Sequence, residues 1–350
     1  MTDAKRSKQP LAITATGMVT GVGLDTKSTC AAIRASIDNF QETRFIDAGG
    51  EWIQACEVPL EQPWRGTRKL AKMLAQALIE CAQQGKVDLE QVPLIICLAE
   101  KERPGRVENL SNRVFFETQE ELGIRFHKDS KVVEHGRVGG LVAMRQAREM
   151  IYKEKAEHII VAGVDSLITG PALRVYEEQD RVLTSQNSDG FIPGEAAAAV
   201  LVTAPKASDE KQLICMGLGF GVEKSTIDSE EPLRADGLTT AIKASLNDAN
   251  CNESILDFKI TDTSGEQYYF KEASLAFSRV DRTKRTEFDF WHPSDCVGEV
   301  GAAMGMVMVI VLKSACEKSY SKGNHVLAHL GSDDGKRSSM VLFWQMVGRK

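Results

Sequence analysis

The chain has 350 residues, 43% hydrophobic and 26% charged, a balance that fills a sizeable core and excludes a disordered or fibrous protein. A formal net charge of -6 leaves no basic field to hold nucleic acid, and no apolar run approaches the roughly 20 residues of a membrane helix. The eight cysteines form no CxxC pair and no metal-spaced cluster, so they read as buried free thiols in a reducing, cytoplasmic setting, with no metal and no cofactor implied.

Residues 1–10 are polar and basic, lack the apolar stretch of a signal peptide, and read as a flexible tail. Leu11 to Gly23 is a β-prone run broken by glycines, and Asp25 is placed to cap a helix over Thr26–Ala35. Gln54–Val58 reads as a weak strand. Arg65–Gln84 is an amphipathic helix, with Leu70, Met73, Leu74, Ala77, Leu78 and Cys81 at helical spacing. Val92–Leu98 is a continuous apolar strand of the kind buried on both faces. Glu100–Lys131 is polar, holds a short helix over Asn109–Leu122 and reads as a peripheral insertion. Its first part, Glu100–Arg106, reads as a solvated loop.

Val132 to Met144 is the stretch the chain is organised around. An apolar run meets a Gly-framed elbow at His135-Gly136-Arg137-Val138-Gly139-Gly140, and a helix runs on through Tyr152. Such an elbow presents a residue to the unpaired N–H groups of a helix start, the plan of a nucleophile platform. Arg137 stands on it, and a guanidinium has no lone pair to offer. A strand follows at His158–Gly163, then a loop, then Asp189-Gly190-Phe191-Ile192-Pro193-Gly194-Glu195 leading into the strand Ala196–Val202.

From Leu213 the pattern begins again. Leu213–Val222, Leu238–Ala249, Phe258–Thr261 and the small-residue elbow Gly298–Met306 repeat the earlier strand, helix, strand and elbow, and two closing strands follow at Val326–Gly331 and Ser339–Trp344. The self-similarity divides the chain into halves over 11–204 and 211–346, with the boundary near 204–211. Gly217, Gly219 and Gly221 read as strand-bend glycines and not as a nucleotide loop.

These elements in this order resemble the β-ketoacyl synthase family. Leu11–Gly23 is similar to its opening ITGxGxVTxxG segment, Gly140–Ile151 with Val161–Ser166 to its nucleophile helix and following strand, and Asp189–Ala197 to its DGFvxGEGAA signature. The resemblance implies an α/β, thiolase-like, five-layer αβαβα sandwich of two duplicated halves. It also implies a dimer through the strand before the elbow, at Lys131–Glu134, either a homodimer or a heterodimer with a related synthase, and contact with an acyl carrier protein.

The family's catalytic Cys, HGTxT His and GHxxxAAG His fall on Arg137, Thr261 and Glu299, the second with a register tolerance of one or two residues. All three are substituted, and the closing FGGTN loop reads Gly331-Ser332-Asp333-Asp334-Gly335. Arg137 at a helix start opposes the dipole by about 0.3–1 kcal/mol unless an anion is near. Glu299 and Asp262 are the candidates, so an internal Arg137–Glu299 pair is expected, with recognition of an acidic ligand by Arg137 as the rival. Arg137, Glu299, His135 and Asp262 are thus the binding candidates, and no catalytic residue is expected. His135 as a displaced base and Cys296 as a relocated thiol are weaker alternatives. Three functions stay open: a non-condensing protein that works by binding, as partner subunit, adaptor or chaperone in a biosynthetic or effector-secretion system; an acyltransferase or decarboxylase with altered chemistry; and a binder of an acyl chain or acyl carrier. No nucleic acid or membrane partner is implied.

Overall fold

A computed structural model describes residues 9–281, 283 and 288–348, so the tail read over 1–10 lies outside them except for its last two residues. The first half runs β1 Leu11–Thr20, α1 Thr26–Arg34, β2 Gln41–Ile46, β3 Trp52–Ala55, α2 Gly66–Gly85 and β4 Leu94–Leu98. It continues through α3 Leu110–Leu122, β5 Lys131–Glu134, α4 Gly139–Tyr152, β6 Ile159–Ser166, α5 Gly170–Glu178 and β7 Glu195–Thr203. The second half runs β8 Ser208–Val222, α6 Asp236–Ala249, β9 Phe258–Thr261, α7 Gln267–Val280, β10 Phe290–Trp291, α8 Ser294–Val297, α9 Met304–Glu317, β11 His325–Gly331 and β12 Lys336–Val347.

The strand order is β10-β9-β11-β12-β8-β1-β7-β6-β4-β5. Leaving the β2–β3 hairpin aside, each half numbers its own strands 3-2-4-5-1 from its outer edge, with only the fifth, β7 or β12, antiparallel to its neighbours. The two sheets join where Leu11–Ile13 of β1 pairs with Leu213–Cys215 of β8. Along β7, Ala196, Ala198, Val200 and Val202 enter the core that holds α4 and α9, while Ala197, Ala199 and Leu201 face the core under α2. A strand covered on both faces explains why its sequence from Ala196 to Val202 is uninterrupted Ala, Val and Leu. The layers are therefore α2 and α3, the first sheet, α4 and α9, the second sheet, and α6 with α7. This is the αβαβα sandwich of two duplicated halves. At its centre every residue from Met304 to Cys316 of α9 is buried.

The sequence reading needs correction in several places. The loop after Ser166 contains α5, started by Thr169 as N-cap and Pro171 in its first turn. Glu100–Arg106 is not solvated throughout: Arg103 is 8% exposed in its side chain and pairs with buried Asp165, and Arg106 pairs with Glu134. The glycines of β8 also serve close approach, since a Cβ on Gly219 would stand 2.0 Å from the Ala241 carbonyl oxygen of α6, and β8 shifts its register against β12 beside Gly217. Seven of the eight cysteines are buried, whereas Cys251 is only half-buried.

Candidate functional site

Both elbows have one construction. Gly136 and Gly301 adopt φ of +52° and +51°, each begins a short 3-10 turn, and α4 and α9 start at once after it. Only glycine takes that left-handed turn without cost. The first turn carries Arg137 into the space between the halves; its equivalent in the second is Ala302, whose N–H donates 2.9 Å to Asp165.

Arg137 is 8% exposed, and the carboxylates around it come from three separate segments. Nη1 donates to Glu299 Oε2 at 3.2 Å, and Nη2 donates to Asp333 Oδ1 and to the Tyr269 hydroxyl, both at 2.5 Å. The guanidinium carbon also lies 4.4 Å from the centre of the Tyr269 ring. Burial opposes the charge, yet Tyr269, Glu299, Asp333 and Asp262 together hold Arg137 protonated far into alkali. The expected conflict with the helix dipole is thereby answered by anions brought from the second half of the chain.

Glu299 has no free oxygen. Oε2 also accepts from Ser264 Oγ at 2.9 Å, and Oε1 accepts from the Gly301 N–H at 2.8 Å. Asp333 is shared: Arg181 Nη1 donates to its Oδ2 at 2.9 Å, Arg181 Nη2 to its Oδ1 at 3.2 Å, and the Tyr269 hydroxyl to Oδ1 at 2.5 Å. Burial works against ionising Asp333, but Arg137 and Arg181 pull its pKa well below the usual carboxylate range. Arg181 is also bound in a fork by Glu266, at 2.5 and 3.0 Å. The space left among Arg103, Arg137, Arg181, Glu266, Glu299 and Asp333 is about 20 Å³, room for about one water.

The other expected residues are placed as follows. Thr261 Oγ1 meets Thr263 Oγ1 at 2.8 Å, both buried. Its neighbour Asp262 is the side chain on this segment whose charge is coupled to Arg137 and Glu299, and its Oδ2 accepts from the Gly331 N–H at 2.9 Å. His135 faces a separate groove with Glu134, Gln146, Asp334 and Lys336. Burial and the Lys336 charge lower its pKa. Cys296 is 6% exposed and burial pushes its thiol up to about 11, so it is no thiolate at neutral pH. Asp333 lies in the closing loop that departs from the family's FGGTN. Arg181, Glu266 and Tyr269 sit where sequence reasoning marked nothing, because each matters only through partners far along the chain. No group of three or more His, Cys, Asp or Glu among the described residues is arranged to hold a metal.

Asp262 gives a pH test. Burial pushes its pKa up to about 7 against the pull of Arg137, from about 3.9 in an unfolded chain. A folded pKa above the unfolded one means that stability is fully present below about pH 4, falls as pH rises to about 7, and is level above that. Asp262→Asn is therefore expected to be about 2–4 kcal/mol more stable than the parent at pH 8 and about equal at pH 4, read by urea denaturation at both. A variant that is weaker than the parent at pH 8 would contradict this.

Residues 138–207, the segment that starts immediately after Arg137, match the family Beta-ketoacyl synthase, N-terminal domain. Among solved structures, the ishigamide ketosynthase/chain length factor has TM-score 0.78 at 15% identity, covering 97% of this chain and 100% of that one. The chain has the thiolase-like fold of the ketosynthases. This ketosynthase-fold chain is also similar to a structure described as a type II polyketide synthase acyl-carrier protein in complex with its ketosynthase, with TM-score 0.80, 13% identity, and coverage of 97% and 100%. A third is a ketosynthase in complex with its chain length factor from Xenorhabdus doucetiae, with TM-score 0.74, 13% identity, and coverage of 99% and 100%. No curated protein sequence matches the ketosynthase-fold chain. No helix among its described residues is long and apolar enough to cross a membrane.

Proposed function

We propose that this ketosynthase-fold chain performs no condensation and works by protein binding, as the chain-length-factor type of subunit beside an active ketosynthase. The observation that carries the reading is the occupant of the elbow. Where a condensing enzyme needs a nucleophile, this chain presents Arg137, fixed by Glu299, Asp333 and Tyr269. No lone pair is available there to form an acyl intermediate. Glu299 as a substitute base is weighed down by its three hydrogen-bond donors, and the space of about 20 Å³ at the elbow does not accommodate an acyl chain.

The partner surface follows from topology. β5 ends the ten-stranded order and pairs on one side only, with β4. Its free edge is four residues long and is flanked by a groove of about 440 Å³ lined by Glu102, His135, Asp334 and Lys336 among others. A short open edge of this kind accepts one more strand. The similar structures described as ketosynthase/chain length factor pairs favour a related synthase as the supplier of that strand.

The test has two parts. Incubation with malonyl- and acyl-loaded carrier protein should leave the intact mass of the chain unchanged and give no condensation product. Co-expression with a ketosynthase that retains its Cys should give a one-to-one heterodimer by mass. An acyl adduct on this chain would overturn the non-condensing role, and failure to pair with any intact synthase encoded beside it would overturn the subunit role.

A further inference from the structure

The first half also holds a cavity of about 290 Å³ on the side of the sheet away from α4. It is bounded by the start of α2, the segment from Ala99 to Leu110, the segment from Asp165 to Ala172 and the β2 residue Arg44. Arg103 is the wall between it and the small space at Arg137, since it lines both and is held by Asp165.

Its floor is apolar, formed by Leu70, Ala99, Val107, Leu110, Ile168 and Pro171. Its charges are unequal. Arg44, Arg65, Lys69, Arg103 and Arg106 face only Glu57, Asp165 and Glu195 among the lining carboxylates. Each of those three is already engaged: Glu57 and Glu195 by Lys69, Asp165 by Arg103. Arg106 turns to Glu134. Arg44 and Arg65, both solvent-exposed, have no carboxylate partner among the described residues, and Arg44 rests its guanidinium 4.9 Å from the Phe45 ring. A concave apolar space lined also by two exposed guanidinium groups without a carboxylate partner among the described residues fits an amphipathic anion. The volume sits at the lower end of small-molecule sites.

We propose that this cavity binds a small organic acid, its apolar body on the floor of Leu70, Val107, Leu110 and Ile168 and its carboxylate between Arg44 and Arg65. The site needs neither a partner chain nor the Arg137 cluster, so it stands or falls separately from the subunit role. Two guanidiniums give charge-assisted hydrogen bonds to one carboxylate, and the apolar body leaves water.

The test is calorimetric titration of the full chain with octanoate and with octanamide, which has the same tail and no charge. Octanoate is expected to saturate in the millimolar range or below and to bind about tenfold more tightly than octanamide. The double variant Arg44→Gln/Arg65→Gln, changed only at exposed positions, should lose that tenfold preference and leave octanamide binding as it was. Val107→Trp, which fills the cavity, should abolish binding of both at an unchanged melting temperature. Absence of octanoate saturation, equal affinity for the two ligands, a preference that survives the arginine double variant, or binding retained by a folded Val107→Trp protein would each overturn the site. Should Val107→Trp prove unfolded, the arginine pair alone decides.

Discussion

Replacing Arg137 with methionine is expected to lower folding stability by about 3–5 kcal/mol, although methionine fills similar space and the change removes contacts of this one side chain only. The cost comes from what is left behind. Glu299 keeps Ser264 and the Gly301 N–H but loses its counter-charge, while Asp333 keeps the Tyr269 hydroxyl and has Arg181 as its one remaining cation. Because Asp333 remains, adding Glu299→Gln to Arg137→Met should return part of the loss, with a coupling of about 1–3 kcal/mol in a double-mutant cycle. Urea denaturation of the parent, the two single variants and the double variant measures all four corners. A single variant within about 1 kcal/mol of the parent would mean that the buried pair is neutral and the site is not held by it.

Asp333→Asn is expected to be comparably severe, and its pH dependence tells the two apart. This one carboxylate serves two buried guanidiniums, Arg137 and Arg181, and loses its charge in the variant without changing shape. Its folded pKa is depressed, so its contribution is fully present above the unfolded pKa of about 3.9 and is lost as pH falls through the folded value. The gap between parent and variant should stand at about 3–5 kcal/mol at pH 7 and shrink steadily below pH 4. Asp262, in the same cluster, acts with the opposite sign: its burial penalises the charged form and its cost appears only toward neutral pH. The parent should therefore be most stable in mildly acidic solution, where Asp333 is ionised and Asp262 is not. A gap that stays constant down to pH 2 would show that Asp333 acts through shape and not through charge.

The legible parts of this chain are those where one residue type decides. Val92–Leu98 reads as a strand because it is short and continuously apolar, and α2 reads as a helix because its buried positions keep helical spacing. α7 stays hidden for a physical reason: its buried face is Tyr269, Glu272, Ala273, Ala276 and Val280, at helical spacing but with a carboxylate in the stripe. Glu272 is there because buried Arg337 of β12 binds it at 2.8 and 2.9 Å, a partner no local window contains. The candidate site divides in the same way. Arg137 and Glu299 are visible because each occupies a recognisable elbow, and Asp333 because its loop departs from the expected composition. Arg181 and Glu266 form a buried pair across 85 residues of sequence and carry no mark in either neighbourhood. The hairpin of β2 and β3 is missed because Gln41–Ile46 is largely exposed and offers no apolar alternation.

The way Arg137 is enclosed also bears on whether the elbow could ever regain a nucleophile. A cysteine placed at 137 would face Glu299 without its counter-charge and Asp333 with Arg181 as its remaining one, and a thiolate beside them would be a third anion. Neutralising Glu299 first would leave Arg137 with Asp333 alone, and neutralising Asp333 first would leave Arg137 to Glu299 and Arg181 to Glu266. Every single step back toward a reactive elbow removes part of the compensation of a buried charge. The cluster therefore behaves as a ratchet: substitutions that could have been gained gradually can be undone only together.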